Sequence, residues 1–359
     1  MKSIPPEHRR LLANYRMPPE WAPHEACYLV WPHNRETWPG MFEVIPPLYA
    51  AMVAAIAQFE PVRLLLKDEA TMPDAAALIR EAARGNDAII RNVEAFVLPT
   101  NDSWARDHGP IFVNRITGAG PAQIALDWKF NSWGEKYGEF DLDDVVPQKL
   151  AARYGFEFIE PGIVLEGGSI DVNGAGTLLT TESCLLNPNR NPDLTREKIE
   201  DYLKTYLGVS NVLWLGDGIE GDDTDGHIDD LARFVAPEKI VTVVENDPAD
   251  ANYEVLQENL RKLRAMRDQD GPPFRIETLP MPPAVVHDGT RLPASYANFY
   301  IANGGVVMPT FGCPADKIAA DTLARLLPGR RVVGVPSTDL VWGLGSVHCL
   351  SQQHPTPSR

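Results

Sequence analysis

Several short segments of the sequence carry residue types that could do acid–base or nucleophilic chemistry. His227 and Asp229 stand two positions apart after an acidic, glycine-containing loop. A histidine beside a carboxylate can act as a general acid and base, and the two side chains would share one face if a strand began at His227. By itself the pattern is more typical of a solvated acidic loop, and the other histidines form no cluster that indicates a metal site.

Two further segments place an acid next to glycine. Asp107 precedes Gly-Pro and an apolar run, so its carboxylate could face a pocket or could cap the turn. Glu166 stands beside Gly167 and Gly168, which allow the backbone to approach another group closely. No structural partner of Glu166 is evident from the sequence. Each segment alone is a weak signal.

A candidate nucleophile lies near the C-terminus. Cys349 follows a glycine-rich turn and precedes a short apolar run, so little side-chain bulk stands in front of its thiol. The alternative is a buried structural cysteine, the usual state of a free thiol. We assign Cys27, Cys184 and Cys313 to that alternative, because Cys27 lies in an apolar run and the other two lie in loop segments.

The composition limits the class of protein. The chain has 359 residues, four cysteines and a formal net charge of −16. Such a charge argues against nucleic-acid partners and anionic membrane surfaces, and it is compatible with a cationic small molecule. The cysteines form no CxxC pair, and the N-terminus has no apolar signal segment, so we expect free thiols and a cytoplasmic location. The longest apolar stretch is too short to span a bilayer.

The elements that must position these residues follow a mixed α/β pattern. Helical spacing and stop signals predict helices over about residues 44–59, 73–84, 195–207 and 316–327. Thr195 is the predicted N-cap of the third helix, and Gly85 and Gly208 are predicted stops. Short apolar runs predict strands at residues 62–66, 111–113, 212–215, 240–244 and 331–335.

A weak long-range period also appears. Polar, glycine-containing segments recur roughly 50 to 70 residues apart, at residues 106–110, 166–169, 226–230, 298–305 and 343–349. One interpretation is a set of α/β units around one centre, with one loop of each pointing inward. The other is that any α/β chain has turns at such spacing. The spacing alone does not decide between them.

Together these segments resemble the agmatine deiminase family, part of the guanidino-group-modifying superfamily that includes arginine and peptidyl-arginine deiminases. The resemblance covers nearly the whole chain: MPPEWAPHEACYLVWPHNRETWPG, WARDHGPIFV, LEGGSIDVNGAGTLLTTESCLLNPNRNP, GDDTDGHIDDLARFV and GSVHCLSQQHP. It implies a five-bladed α/β propeller with pseudo-fivefold symmetry. A single deiminase domain would then span residues 1–359, with the active site on the central axis.

The resemblance also implies roles for individual residues. Cys349 corresponds to the nucleophile and His227 to the general acid–base. Asp107 and Asp229 correspond to the carboxylates that bind the guanidinium, and Glu166 to the acidic partner of the histidine. Two more residues, Trp104 and Asp223, correspond to positions beside the channel that holds the alkyl chain and distal amine of the substrate.

The sequence differs from the family pattern in the turn before Cys349 and at two acids. Leu344 and Ser346 stand in a turn that often reads GGG-x-[IV]-HC. Asp230 replaces a common asparagine, and Asp223 replaces a common glutamate. A shorter acid at position 223 could change the preferred length of the substrate, so these departures bear on the substrate more than on the reaction.

The expected reaction is hydrolysis of agmatine to N-carbamoylputrescine and ammonia through a covalent S-alkylthiouronium on Cys349. It needs no metal and no organic cofactor. The expected partner is a small guanidinium substrate, and the resemblance is compatible with a homodimer. The alternatives are deimination of arginine, peptidyl arginine or another small guanidine, a guanidinium-binding protein without turnover, and a metal-dependent hydrolase.

Overall fold

The strands of this chain are short and are distributed over several sheets. The computed structural model describes residues 3–357. Its strands are β1 (Tyr15–Arg16), β2 (His24–Val30), β3 (Val62–Leu66), β4 (Val93–Val97), β5 (Ile111–Arg115), β6 (Gln123–Leu126), β7 (Glu157–Ile159), β8 (Asp171–Val172), β9 (Thr177–Thr181), β10 (Asn211–Leu215), β11 (Ala232–Ala236), β12 (Lys239–Val244), β13 (Arg275–Pro280), β14 (Val286–His287), β15 (Thr290–Arg291), β16 (Tyr300–Ala302), β17 (Gly305–Thr310), β18 (Arg331–Pro336) and β19 (Ser351–Pro355).

Helices connect many of these strands. They are α1 (Pro6–Leu12), α2 (Ile45–Ala57), α3 (Met72–Ala82), α4 (Asp87–Arg91), α5 (Ala105–His108), α6 (Ser132–Glu135), α7 (Asp141–Asp144), α8 (Val146–Tyr154), α9 (Glu182–Leu185), α10 (Arg196–Leu207), α11 (Tyr253–Ala265) and α12 (Pro314–Leu326). Short 3-10 turns lie at Phe42–Val44, Glu69–Thr71, Gly167–Ser169, Ile228–Asp230 and Leu340–Gly343.

Five of the sheets share one pattern in the described part of the chain. Their strand orders are β1-β5-β6-β7, β10-β9-β8, β11-β12-β13, β16-β17-β18 and β19-β2-β3-β4. Each contains an antiparallel pair, and one member of that pair has a parallel neighbour on its other side. A parallel pair needs a crossover connection, and a helix lies in each of these crossovers, as α11 does between β12 and β13. The result is a mixed α/β single-domain fold.

The last strand of the described chain pairs with an early one. β19 pairs antiparallel with β2, and Ser351 lies opposite Leu29. Each residue of β19 is buried. Since β19 begins two residues after Cys349, this pairing anchors the candidate nucleophile to the sheet that contains β2, β3 and β4.

The predicted helices and strands are confirmed with shifts of a few residues at their ends. β3 has the predicted bounds, and α10 begins after Thr195, whose side chain accepts a hydrogen bond from the Lys198 amide. Gly208 ends α10 in the left-handed conformation, with φ of 67°. The local signals sufficed because caps, stops and apolar spacing act within one element. None of the helices over residues 3–357 combines the length and the hydrophobicity that a membrane span requires.

The condition under which His227 and Asp229 would share one face of a strand is not met. His227 precedes the 3-10 turn Ile228–Asp230, and β11 begins only at Ala232. Gly226 does end the preceding loop, with φ of 95°. The amide of His227 is bound by the side chains of Asp222 and Thr224, which hold this residue in the loop rather than in a ladder.

Candidate active site

The turn that carries Cys349 is shaped by close packing. A Cβ on Gly345 would lie 2.5 Å from the Trp104 ring and 3.0 Å from the Cβ of Cys349. Leu344 adopts φ of 70°, a left-handed conformation that glycine favours. The turn therefore keeps a glycine-like backbone at Leu344 although the glycine itself is absent. Trp104, which sequence reasoning placed beside the substrate channel, packs directly against this turn.

Asn298 organises the same turn and was not predicted as a site residue. Its Nδ2 donates to the sulfur of Cys349 at 2.9 Å and to Asp230 at 3.0 Å. Its Oδ1 accepts from the Ser346 hydroxyl and the His348 amide, both at 2.9 Å. The only signal in the sequence was its place at the start of the polar segment 298–305.

The sulfur of Cys349 lies on the same side of the molecule as the acids predicted to bind guanidinium. It is 3.7 Å from Oδ2 of Asp229. Nδ1 of His348 donates to that same oxygen at 2.7 Å. Oδ1 of Asp229 is buried and has no hydrogen-bond partner among the described residues, so it is free to accept from a ligand.

Asp107 is held by two donors on other elements. The Gly168 amide donates to its Oδ1 and the indole N–H of Trp133 to its Oδ2, both at 2.9 Å. Nδ1 of His227 lies 3.8 Å from Oδ1. A Cβ on Gly168 would lie 2.5 Å from His227 and 2.9 Å from Asp107. The paired glycines thus allow a close approach of backbone to side chains, as expected from the sequence.

Glu166 is fully buried and has a partner that the sequence did not reveal. Arg190 donates to its Oε1 at 2.6 Å, while its Oε2 has no partner among the described residues. Glu166, Cys184 and His227 bring ligand-type atoms within 4.8 Å of one another. The sequence indicated a structural role for Cys184, with no histidine close to it along the chain. In the structure, Cys184 lies beside His227.

Burial and opposing charges set the protonation states at the site. Burial, together with the charges of Asp229, Asp230 and Asp107, raises the pKa of the Cys349 thiol well above its usual range. Burial also raises the pKa of Asp107 to about 6. Although burial alone would lower it, the charge of Asp107 holds the pKa of His227 well above its usual range. In the free protein, a neutral thiol faces acids and an imidazolium.

Asp229 differs from Asp107 in its protonation. Burial opposes the charged form of Asp229, but the hydrogen bond and charge of His348 hold its pKa below the usual range. The two carboxylates predicted to bind one guanidinium thus have pKa values shifted in opposite directions. Asp229 is the one that stays ionised over the wider pH range.

A chain of buried polar contacts continues behind Asp229. Nε2 of His348 donates to Oε2 of Glu20 at 2.7 Å, and Arg233 donates to the same oxygen at 2.7 Å. Arg233 also donates to Asp171 at 2.5 Å. None of these contacts was predicted, because their members are far apart in sequence.

Asp223 lies at the more exposed end of this group. Its carboxylate accepts from the hydroxyl of Tyr137, whose side chain is 48% exposed. Burial raises the pKa of Asp223, which also feels the charge of His227. Asp223 is therefore within electrostatic range of His227 and is less buried than Asp107, Glu166 and Asp229.

Two groups of side chains have a spacing that could hold a metal ion. They are Glu166, Cys184 and His227, and Asp229, Asp230 and Cys349. Both groups contain acids that could equally bind a guanidinium through charge-assisted hydrogen bonds. Four of these residues also carry predicted roles in guanidinium chemistry.

The fold and the buried group of thiol, imidazole and carboxylates define the class of guanidino-group-modifying α/β proteins. The chain belongs to the Porphyromonas-type peptidyl-arginine deiminase family, whose model matches residues 16–355. A relative from Stutzerimonas stutzeri, named agmatine deiminase, is 39% identical over 366 residues, covering 96% of both chains.

Solved structures agree with this assignment. The agmatine deiminase of Enterococcus faecalis, described as catalysing its reaction, has a TM-score of 0.90 at 32% identity and covers 100% of this chain and 99% of its own. A variant of the C. jejuni agmatine deiminase with substrate bound has a TM-score of 0.85 at 34% identity, covering 96% of this chain and 97% of its own. The sequence-based assignment to the family is thus confirmed.

Proposed function

We propose that this protein is an agmatine deiminase that converts agmatine and water to N-carbamoylputrescine and ammonia. The observation that carries the proposal is the position of the Cys349 sulfur, 3.7 Å from Asp229, in a chain whose relatives have that name. The single domain of the proposal spans residues 1–359, and its five similar sheets form the blades of a five-bladed α/β propeller. Their common strand pattern supports this arrangement, which puts the site on the central axis.

The acids bind the substrate cation. A guanidinium is planar, charged and rich in donors, and its removal from water costs several kcal/mol unless acceptors replace the water. Asp107 and Asp229 accept its N–H groups from two sides, and Oδ1 of Asp229 has no competing partner among the described residues. The central carbon then faces the sulfur of Cys349.

The arrival of the substrate activates the nucleophile. Acids around Cys349 keep it neutral in the free protein. A bound guanidinium adds a positive charge next to the sulfur and lowers the pKa of the thiol. His227 and the substrate are the two cations that favour the thiolate.

The reaction then proceeds in two steps. The thiolate of Cys349 attacks the guanidinium carbon, a C–S bond forms, and His227 gives its proton to the leaving nitrogen as the C–N bond breaks and ammonia departs. The remaining S-alkylthiouronium is attacked by water, which gives a proton to His227. The C–S bond breaks, and the product leaves as a urea. Glu166 orients the imidazole, with its own position fixed by Arg190.

The far end of the site favours an amine over a carboxylate. A substrate carboxylate would need an unpaired cation, but the buried arginines Arg106, Arg190 and Arg233 are each paired with an acid. Asp223 instead offers a negative charge, and Trp104 offers an apolar wall for methylene groups. This favours agmatine over arginine and peptidyl arginine.

Location and assembly stay predictions within this proposal. The four cysteines, all in the described part of the chain, are free, which suits the reducing cytoplasm. The family resemblance is compatible with a homodimer, and light scattering of the purified protein measures the assembly.

Intact-mass spectrometry during turnover tests the proposal. The wild-type protein should release ammonia from agmatine and carry an adduct on Cys349 when quenched, whereas Cys349→Ser should do neither. Cys313→Ser is the matched control: Cys313 is the N-cap of α12, a position that serine fills well, so this variant should keep full activity.

Three outcomes favour the alternatives. Faster turnover of arginine than of agmatine means an arginine deiminase. Tight binding of agmatine without ammonia release means a binding protein. Activity that chelation abolishes and a divalent ion restores means a metal-dependent hydrolase.

A further inference from the structure

One turn of the chain contacts both ends of the proposed site. It runs over residues 131–140 and includes α6. Trp133 in this turn donates to Asp107, the predicted guanidinium acid, at 2.9 Å. Tyr137, four residues later, donates through its hydroxyl to Asp223, the predicted acid for the distal amine. The turn thus contacts both the acid that is predicted to bind the guanidinium and the acid that is predicted to bind the distal amine.

The backbone of this turn is strained. Ser132, Trp133 and Glu135 have φ of 53°, 55° and 61°, and Gly134 between them has φ of 93°. Non-glycine residues in the left-handed region cost about 1–2 kcal/mol each. Strain of this kind persists only where the surroundings fix it, and it is concentrated at functional sites.

Several contacts fix the strained turn. Asn131 accepts from the Gly134 amide at 3.0 Å and donates to the backbone of Asn189 at 2.9 Å. Lys136 donates to Asp225 at 2.8 Å and to the backbone oxygen of Asp223. The side chain of Lys136 therefore joins the turn to the loop that carries Asp223, and the Tyr137 hydroxyl adds a hydrogen bond to the carboxylate of Asp223.

We propose that Tyr137 is a positioning residue that makes the site select guanidines with a distal amine. Its hydroxyl occupies one acceptor position of Asp223 and thereby turns the remaining lone pairs toward the alkyl channel, where an ammonium group can bind. Without the hydroxyl, the carboxylate is free to turn toward Lys136 of the same turn. This inference rests on the proposed function and names the residue that sets its substrate preference.

Tyr137→Phe separates this role from a structural one. The readout is the affinity of agmatine relative to n-butylguanidine, which has the same guanidinium and chain but no amine, measured by calorimetry in the Cys349→Ser background so that no turnover intervenes. We expect Tyr137→Phe to reduce this preference about 10-fold, the effect of one hydrogen bond to a charged group, with little change for n-butylguanidine. In an Asp223→Asn background, Tyr137→Phe should change the preference no further.

Tyr154→Phe is the matched control, because Tyr154 also donates to a carboxylate, that of Glu94, but at the surface, with a distance of 3.0 Å. It should leave both affinities unchanged. Three results would overturn the inference. Tyr137→Phe could lower the affinities for agmatine and n-butylguanidine equally, or it could leave their ratio unchanged. The effects of Tyr137→Phe and Asp223→Asn on that ratio could also be additive. Ammonia release by the wild-type protein tests the proposed function separately, so the two failures are distinguishable.

Discussion

At the scale of single residues, the thiol of Cys349 is surrounded by negative charge. Asp229 lies 3.7 Å from the sulfur, and burial together with the charges of Asp229, Asp230 and Asp107 raises the pKa of this thiol. Such a cysteine is a poor nucleophile until a cation arrives, because the thiolate is the reactive form. We therefore expect protection of the thiol from reagents that carry no positive charge.

The acids make a testable contribution to this protection. Asp107→Asn removes one negative charge that raises the pKa of Cys349, so that pKa should fall. The alkylation rate of Cys349 by iodoacetamide should then rise at a lower pH than in the wild type, by about one pH unit. Peptide mass spectrometry across a pH series measures the rate. Asp74→Asn, at an exposed position, should give the wild-type profile; a profile of Asp107→Asn moved to higher pH would contradict the account.

At the scale of elements, turns rather than strands hold the reacting groups. Asp107 lies in the short helix α5, Glu166 lies next to the 3-10 turn Gly167–Ser169, and His227 next to Ile228–Asp230. The backbone amide of Arg106 in α5 donates to the carbonyl oxygen of Cys349 at 3.2 Å. The short helix α5 therefore directly contacts the turn that carries Cys349. Small displacements in one turn should therefore move the sulfur.

Gly345→Ala tests this dependence. The new methyl group would lie 2.5 Å from the Trp104 ring, so either the ring or the turn must shift. We expect kcat/KM for agmatine to fall by about 10²-fold, as for a 1 Å misplacement of a reacting group, while circular dichroism still reports a folded protein. In Gly304→Ala the methyl group would lie 3.5 Å from Phe59, an ordinary contact. Gly304→Ala should keep its activity. A similar loss of kcat/KM in both variants would show that the loss in Gly345→Ala is not caused by displacement of the Cys349 turn.

At the scale of the whole molecule, Glu20 joins parts of the chain that are distant in sequence. It accepts from Arg233 in β11, from His348 shortly before β19 and from the amide of Ile301 in β16, each at 2.7 Å. Burial opposes its charge, but Arg233 and His348 hold its pKa well below the usual 4.5. Three of the sheets thus share one buried carboxylate behind the site.

Glu20→Gln should weaken the fold in a pH-dependent way. Loss of one partner of a buried ionic network costs about 3–5 kcal/mol of the free energy of unfolding. Because the folded-state pKa of Glu20 is lowered, its stabilisation is present above pH 4.5 and is lost as the pH falls through and below that value. The difference from wild type should therefore be large at pH 7 and smaller at pH 4.

Urea denaturation at both pH values measures this difference. Glu69→Gln, at an exposed position, is the control and should match the wild type at each pH. An equal destabilisation by Glu20→Gln at pH 7 and pH 4 would show that the charge of Glu20 is not what stabilises the network.

The sequence by itself determined the local elements and the family of this protein. The bounds of β3, the cap at Thr195 and the stop at Gly208 follow from residues within one or two turns of the chain. The types of the candidate reacting residues were also readable, because thiol, imidazole and carboxylate chemistry depends on the side chain itself. The sequence left open whether a strand begins at His227. None does, because Asp222 and Thr224 bind its amide locally, and hydrophobic spacing does not report such bonds.

Only the tertiary structure decided the partners of those residues. Asn298 on the Cys349 sulfur, Arg190 on Glu166, and Tyr137 on Asp223 are contacts between different turns or loops. The position of Cys184 beside His227 is of the same kind. Such contacts depend on how the sheets pack against one another, and no spacing along the chain encodes them, since each pair is separated by at least 24 residues.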